Sequence, residues 1–360
     1  MTSLSRRALW QRLQDAGLAQ GELPGVGGAE SPWYVRAMLG VAGWIGALFL
    51  LGFVAAGFAF VMESALAALV VGALVSGVAY LIFSRNPESD FFSQVGLAVG
   101  LAGQMMLVFG LFELFEDRES LVYTATFVIE VLLVFFMPNF IYRVLASLAG
   151  ALALTFAMHS AGLYGLAPGM IAAGFALVWM QDVRWVRFGE ICRPVGYGLA
   201  LSMLYCKNGI FWGRWIWWTR SAGESWFSQN APWLDKGLIL LVFTLVVIAL
   251  LRRMQVAVVS RSGVTVLAAT AVTVAAAVFA PGLGQALLIL IIGFAVCNRI
   301  LIGIGLLACG GFISNYYYLL ESTLLEKSLL LIGMGVLLLS ARLLLRLWLP
   351  SAGAGGRADA

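Results

Sequence analysis

The chain has 360 residues, of which 62% are hydrophobic and only 11% charged, with a formal net charge of +4. A soluble domain carries roughly 25% charged and about 45–50% apolar residues, and a soluble fold of this length could not hide the surplus. The balance excludes a soluble enzyme, a disordered chain and a nucleic-acid-binding domain, and it points to a protein whose solvent is lipid.

Arg6, Arg7 and Arg12 open the chain, but no apolar core or small-residue cleavage site follows them, so the start does not read as a secretory signal. Leu4, Ala8, Leu9, Trp10 and Leu13 line one face of a short amphipathic helix, and Gly17 to Gly28 is a flexible, glycine-rich stretch. Residues 1–32 therefore read as a cytoplasmic preface near the membrane surface.

About 20 apolar residues cross a bilayer as a helix. Twelve such spans are predicted, at 36–61, 65–84, 91–114, 121–137, 142–159, 163–180, 194–207, 237–252, 263–280, 283–298, 300–315 and 325–347. The seventh is the weakest, because Lys207 and Asn208 cut it short. Only Asn298 and Arg299 separate the tenth from the eleventh, which form a tight hairpin or include a re-entrant segment. The predicted fold class is all-α, a polytopic transmembrane bundle of about twelve spans. Residues 33–350 form a single membrane domain, and 351–360 a disordered cytoplasmic tail.

With both termini in the cytoplasm, most of the 22 basic residues fall inside, among them Arg36, Arg85, Arg143, Arg184, Arg252 and Arg299. That asymmetry is the expected orientation signal. Four of the outer ones, Lys207, Arg214, Arg220 and Lys236, fall at the edge of or within one long loop, where the signal is weaker. This loop, 208–236, holds Trp212, Trp215, Trp217, Trp218, Trp226 and Trp233. Tryptophan favours the headgroup level, so the loop reads as one or two interfacial helices on the outer leaflet, or as a platform for a lipid or a partner.

Small residues recur inside spans. Gly96 and Gly100 are four apart with Gly103 on the next turn, and Gly303, Gly310, Gly311, Gly333 and Gly335 thin the late spans. Such residues let helix backbones approach closely. Pro138, Pro168, Pro194 and Pro281 lie near span ends and read as helix boundaries.

Charges in hydrocarbon are costly and face the interior of a bundle. Glu130 lies within the fourth span, with Thr126 and Tyr123 on the same helix face. Such a face binds a proton or a cation, or holds a protonated glutamate bonded to a neighbouring helix. Gln104 lies in the middle of the antiparallel third span at comparable depth, which predicts one polar cluster. Glu113, Glu116, Asp117 and Glu119 form an acidic outer rim, which is solvated or attracts cations. His159 stands alone with no serine and carboxylate grouped about it, and the four cysteines make no metal-binding pair. No catalytic residue, metal site or cofactor is expected. Tyr316, Tyr317 and Tyr318 form an aromatic anchor, and Lys327 opens the last span, where its stem reaches the interface.

Three stretches carry a family resemblance. They are Gln94 to Gln104 with the Phe109-Gly110-Leu111 end, Pro138-Asn139 with Arg143 and Ser147, and the Tyr316–Ser328 run followed by Gly333, Gly335 and Arg342. Together they resemble the bacterial multi-pass membrane family known as domain of unknown function 4401, related in layout to the family numbered 2157. The similarity covers roughly residues 33–350. It implies an all-helical inner-membrane bundle of unestablished activity. It also implies a membrane complex with a 2157-type protein and a small anchored protein encoded nearby. No catalytic residues carry over; Gln104, Arg143, Tyr317 and Lys327 are candidates by motif membership.

Three functions compete. A transporter-like protein suits twelve spans with internal polar groups. A structural or regulatory subunit of an envelope complex suits the glycine-rich faces and the aromatic loop. An outer-face glycan or lipid transferase needs an acid or histidine in a substantial external loop, and the large one offers only Glu224 and Asp235. Membrane lipids are the expected surroundings in all three, and no nucleic acid is expected.

Overall fold

Lipid offers the backbone no hydrogen bonds, so a chain this apolar satisfies its N–H and C=O groups within helices. In the computed structural model every regular element among the described residues is an α-helix. The structure describes residues 3–15, 64–86, 89–116, 118–180, 189–205, 226–257 and 282–319, with isolated positions elsewhere. In chain order the helices are α1 (Ser3–Asp15), α2 (Ala65–Arg85), α3 (Asp90–Leu114), α4 (Glu119–Phe136), α5 (Phe140–Ser160), α6 (Ala167–Met180), α7 (Gly189–Tyr205), α8 (Trp226–Arg253), α9 (Leu283–Ala295) and α10 (Arg299–Leu319).

Four of them, α2 to α5, are long and apolar enough to cross a membrane, as is the Gln229–Arg253 part of α8. α6 and α9 are shorter apolar helices. At about 1.5 Å per residue, the 13 residues of α9 run roughly 20 Å, short of a hydrocarbon core of about 30 Å. The helix starts are set by short polar side chains. Ser64 accepts from the Ala67 N–H, Ser89 from the Phe92 N–H and Asn139 from the Tyr142 N–H.

Helices pair as neighbours in sequence. α2 packs on α3, α4 on α5 and α9 on α10, while α7 lies against α5 and α6, and α6 against α8. Two apolar clusters result. One gathers Phe175 and Trp179 of α6, Met203 of α7, Phe243 and Val247 of α8, and Ile289 and Ile292 of α9. The other gathers Ala79 and Phe83 of α2, Leu97 of α3, Leu133 and Val134 of α4, and Tyr142 and Ala146 of α5. α5 joins them, since its Ala151 belongs to the first.

The α2–α3 contact is backbone to backbone. A methyl group on Gly72 would lie 2.9 Å from the Leu107 nitrogen and 3.0 Å from the Gly103 carbonyl oxygen. One on Gly96 would meet the Phe83 ring, and one on Gly100 the Tyr142 ring. The glycine spacing of the third span is thus a packing surface. The late glycines behave otherwise. A methyl group on Gly303, Gly310 or Gly311 would meet nothing within 4 Å among the described residues, and the close approach of α9 and α10 is made at Gly293 and Gly305.

Of the two readings of the tenth and eleventh spans, the hairpin is the one present, turned through Cys297 in the left-handed region at φ 54°. Two boundaries differ from expectation. The seventh helix begins at Gly189, so Pro194 lies inside it rather than at its start. The eighth reaches back to Trp226, so residues 226–236 of the predicted loop continue the helix. The reason is tertiary contact. The α5–α6 turn presses against this extension at Gly165 (φ +81°), where a methyl group would lie 2.5 Å from the Ala231 carbonyl oxygen. Residues 208–225 of the loop lie outside the described residues, as do most of the first, ninth and twelfth predicted spans. The 28 residues of α8 make a rod of roughly 42 Å.

Gly72→Val is expected to push α2 off α3 and cost about 1–3 kcal/mol, as overpacking does. Gly77→Val, on the same helix where nothing lies within 4 Å, is the control. Thermal unfolding in detergent distinguishes them, and equal melting of the two variants would refute the close packing.

Candidate functional site

α3 turns Gly96, Gly100 and Gly103 toward its neighbours, and Gln104, the next residue, is rotated by about 100° toward α4. On α4 the buried positions Val122, Thr126, Glu130 and Leu133 follow helical spacing along one face. The two faces meet at a single polar contact, in which Gln104 Nε2 donates to Glu130 Oε1 at 2.6 Å. Glu130 is 1% exposed and Gln104 8%. α5 closes the site from behind with Gly150, where a methyl group would stand 3.1 Å from the Glu130 Cβ.

The bond leaves two oxygens over. Glu130 Oε2 and Gln104 Oε1 are buried and have no hydrogen-bond partner among the described residues. Both are acceptors when the acid is ionised, and a buried acceptor without a donor costs about 1–3 kcal/mol. A proton or a cation delivered to this point removes the conflict. The other two members of the predicted cluster make contacts of their own. The Thr126 hydroxyl donates to the Val122 carbonyl of its own helix at 2.8 Å. Tyr123 is half-buried between the rings of Phe112 and Phe156.

Two further polar groups were missed in the sequence. Tyr142 of α5 is fully buried, and its hydroxyl donates to the Gly100 carbonyl at 3.4 Å. Ser76 of α2 is buried against Gly103, with its hydroxyl unpartnered. The available signal was their polarity inside apolar spans, and it is weak for residues so common there.

Arg143 has an identifiable task. Its Nε donates to the Val134 carbonyl and its Nη1 to the Glu190 carbonyl, both at 3.0 Å. In a helix each carbonyl accepts from the N–H four residues on. For Val134 that residue is Pro138, and for Glu190 it is Pro194, and neither has an N–H. One guanidinium thus serves two carbonyls that proline has left open, on different helices. Asn139 ties the same end together. While its Oδ1 caps α5, its Nδ2 donates to Ser93 Oγ on α3 at 2.9 Å.

The remaining candidates are dispersed. Glu113, Glu116 and Glu119 are exposed at the α3–α4 turn, with Glu119 in the first turn of α4, where the helix dipole favours an acid. Asp117 lies outside the described residues, as do Lys327 and Glu224. Tyr317 belongs to α10. Asp235 is buried within α8. His159 meets the Tyr164 ring edge-on at 4.5 Å. No three His, Cys, Asp or Glu side chains gather as a metal site among the described residues.

Arg143→Ala is expected to lower stability by about 1–3 kcal/mol through the buried Val134 carbonyl it leaves unpaired, with a smaller loss at the exposed Glu190 carbonyl. Pro194→Ala restores an N–H for the Glu190 carbonyl, so the penalty of Arg143→Ala shrinks in that background. Melting temperatures of the four proteins in this double-mutant cycle provide the check, and strict additivity would remove the proline explanation.

No curated protein and no solved structure matches the chain. The family model described as "Domain of unknown function (DUF4401)" matches residues 32–347. That span includes the Gln104–Glu130 pair, the Arg143 fork and every helix from α2 to α10, and the chain belongs to the DUF4401 family.

Proposed function

We propose that the chain is a transporter-like protein of the bacterial inner membrane in which Gln104 and Glu130 form a coupling site for a proton or small cation. It crosses the membrane about twelve times, with both ends in the cytoplasm and lipid around it. The observation that carries this reading is a carboxyl group buried to 1% exposure, held by one interhelical bond, with its second oxygen unpartnered. A group with only a packing role would more cheaply be apolar, because ionisable residues inside a membrane are expensive.

A second reading, a membrane component of an envelope complex together with proteins encoded nearby, draws on α10. Gly303, Gly310 and Gly311 leave part of that helix open among the described residues, and small residues suit helix–helix association.

Glu130→Gln keeps the size and hydrogen-bonding capacity of the side chain but removes its ionisation. In a deletion strain scored for envelope-stress sensitivity, this variant is expected to reach the membrane at the normal level and fail to restore growth. Full complementation would eliminate the coupling role and leave the complex-subunit reading. Reporter fusions at residue 360 and within 208–225 test the topology, and activity on the same side of the membrane would contradict it.

A further inference from the structure

The contacts around the pair are unevenly distributed. α2 and α3 touch backbone to backbone at Gly72 and Gly103, and α4 lies against α5 at Gly150. Contact between α3 and α4 is sparse by comparison. Among the described residues, the polar links between the α2–α3 hairpin and the α4–α5 pair include Gln104 to Glu130, Tyr142 to Gly100, and Asn139 to Ser93.

Resting on the reading of Gln104–Glu130 as a coupling site, we infer that its ligand is a proton carried on Glu130 Oε2, and that loss of this proton opens the seam between α2–α3 and α4–α5. Two observations select the proton over a metal ion. Hard cations such as calcium and magnesium take about six or more oxygens. Around the pair the unpartnered buried oxygens are Glu130 Oε2 and Gln104 Oε1, with Ser76 Oγ one helix further off. In addition, the Gln104 amide donor already occupies Glu130 Oε1 at 2.6 Å, which turns a positive edge toward the carboxyl.

The neighbours supply no countercharge. From α3 the group facing Glu130 is the uncharged Gln104, and from α5 the facing groups are the Gly150 backbone and, within electrostatic reach, the Tyr142 hydroxyl. Arg143 of α5 is engaged with the Val134 and Glu190 carbonyls. No charged side chain of α2, α3, α5 or α7 acts on the Glu130 carboxyl among the described residues. An anion left there keeps only the Gln104 amide as a donor, with Oε2 buried and unanswered. When the O–H bond breaks, the electron pair stays on Oε2 and the proton passes to a water molecule entering between α3 and α4. That hydration parts the helices where Gln104–Glu130 had joined them, at a seam whose α3–α4 contact is sparse.

The test uses the full chain in proteoliposomes, with infrared difference spectra recorded as pH is raised in sodium or potassium buffer. A protonated-carboxyl band is expected to vanish with rising pH identically in both salts. It should be absent in Glu130→Gln and displaced in frequency in Glu130→Asp, which retains an acid if the first variant does not fold. Amide hydrogen exchange in residues 97–111 and 123–136, corrected for intrinsic rate, is expected to rise several-fold over the same pH range in the wild type alone. A carboxylate band that responds to sodium, with no acid band at any pH, would overturn the proton. Exchange that ignores the titration would overturn the opening. The two proposals fail separately. Sodium-sensitive spectra beside a Glu130→Gln strain that still cannot grow reject the proton and keep the coupling site. A titrating acid beside a fully rescued strain does the reverse.

Discussion

Inside hydrocarbon a backbone carbonyl finds a partner within the protein or pays several kcal/mol for its absence. Helices meet that demand everywhere except at their ends and at proline, and these are the places where polar side chains of this chain are spent. Ser64, Ser89 and Asn139 close helix starts. Asn298 accepts from the N–H groups of Ile300 and Leu301 at the start of α10, while its amide donates to the Tyr197 hydroxyl of α7 at 2.7 Å. Arg143 answers for Pro138 and Pro194 together. Because Asn139, Asn298 and Arg143 also reach a second element, the rule that completes a helix there also fixes its neighbours.

Within that frame, glycine decides where helices come close and where room remains. Along α2 and α3 the backbones meet, and dispersion at short range replaces the hydrophobic drive that lipid cannot provide. At Gly150 the missing side chain does something different. It lets α5 approach the Glu130 stem without supplying a donor, so the carboxyl is enclosed by packing and answered by one amide. Enclosure of this kind makes the group's charge state consequential, since little around it screens a change.

Much of this was legible in the letters. A glutamate and a glutamine in adjacent antiparallel spans identify each other by depth alone, and their bond is present in the structure. For Thr126 and Tyr123 the letters showed a shared face and no more, because a shared helix face does not fix the direction of a side chain. Thr126 turns to its own backbone and Tyr123 to aromatic rings. Arg143 read as a basic residue marking the inner side. Its service to two carbonyls depends on α4, α5 and α7 converging, and no local pattern announces that. The late glycines divide for a related reason. Composition shows where a helix is thin, whereas the partner determines which thin point is used, here Gly293 and Gly305.

The length of α8 has a mechanical consequence. Tilting by the average of about 20° shortens its span by only a few Å, so a rod of roughly 42 Å overshoots a layer of about 30 Å by about 10 Å. The Arg252–Arg253 end and the Trp226 end therefore belong to one helix, whose Trp226 arm carries Pro232 and bears on the α5–α6 turn at Gly165. A thickening or thinning of the bilayer around α8 thus acts on an element that touches this turn directly, with proline placed where the arm can bend.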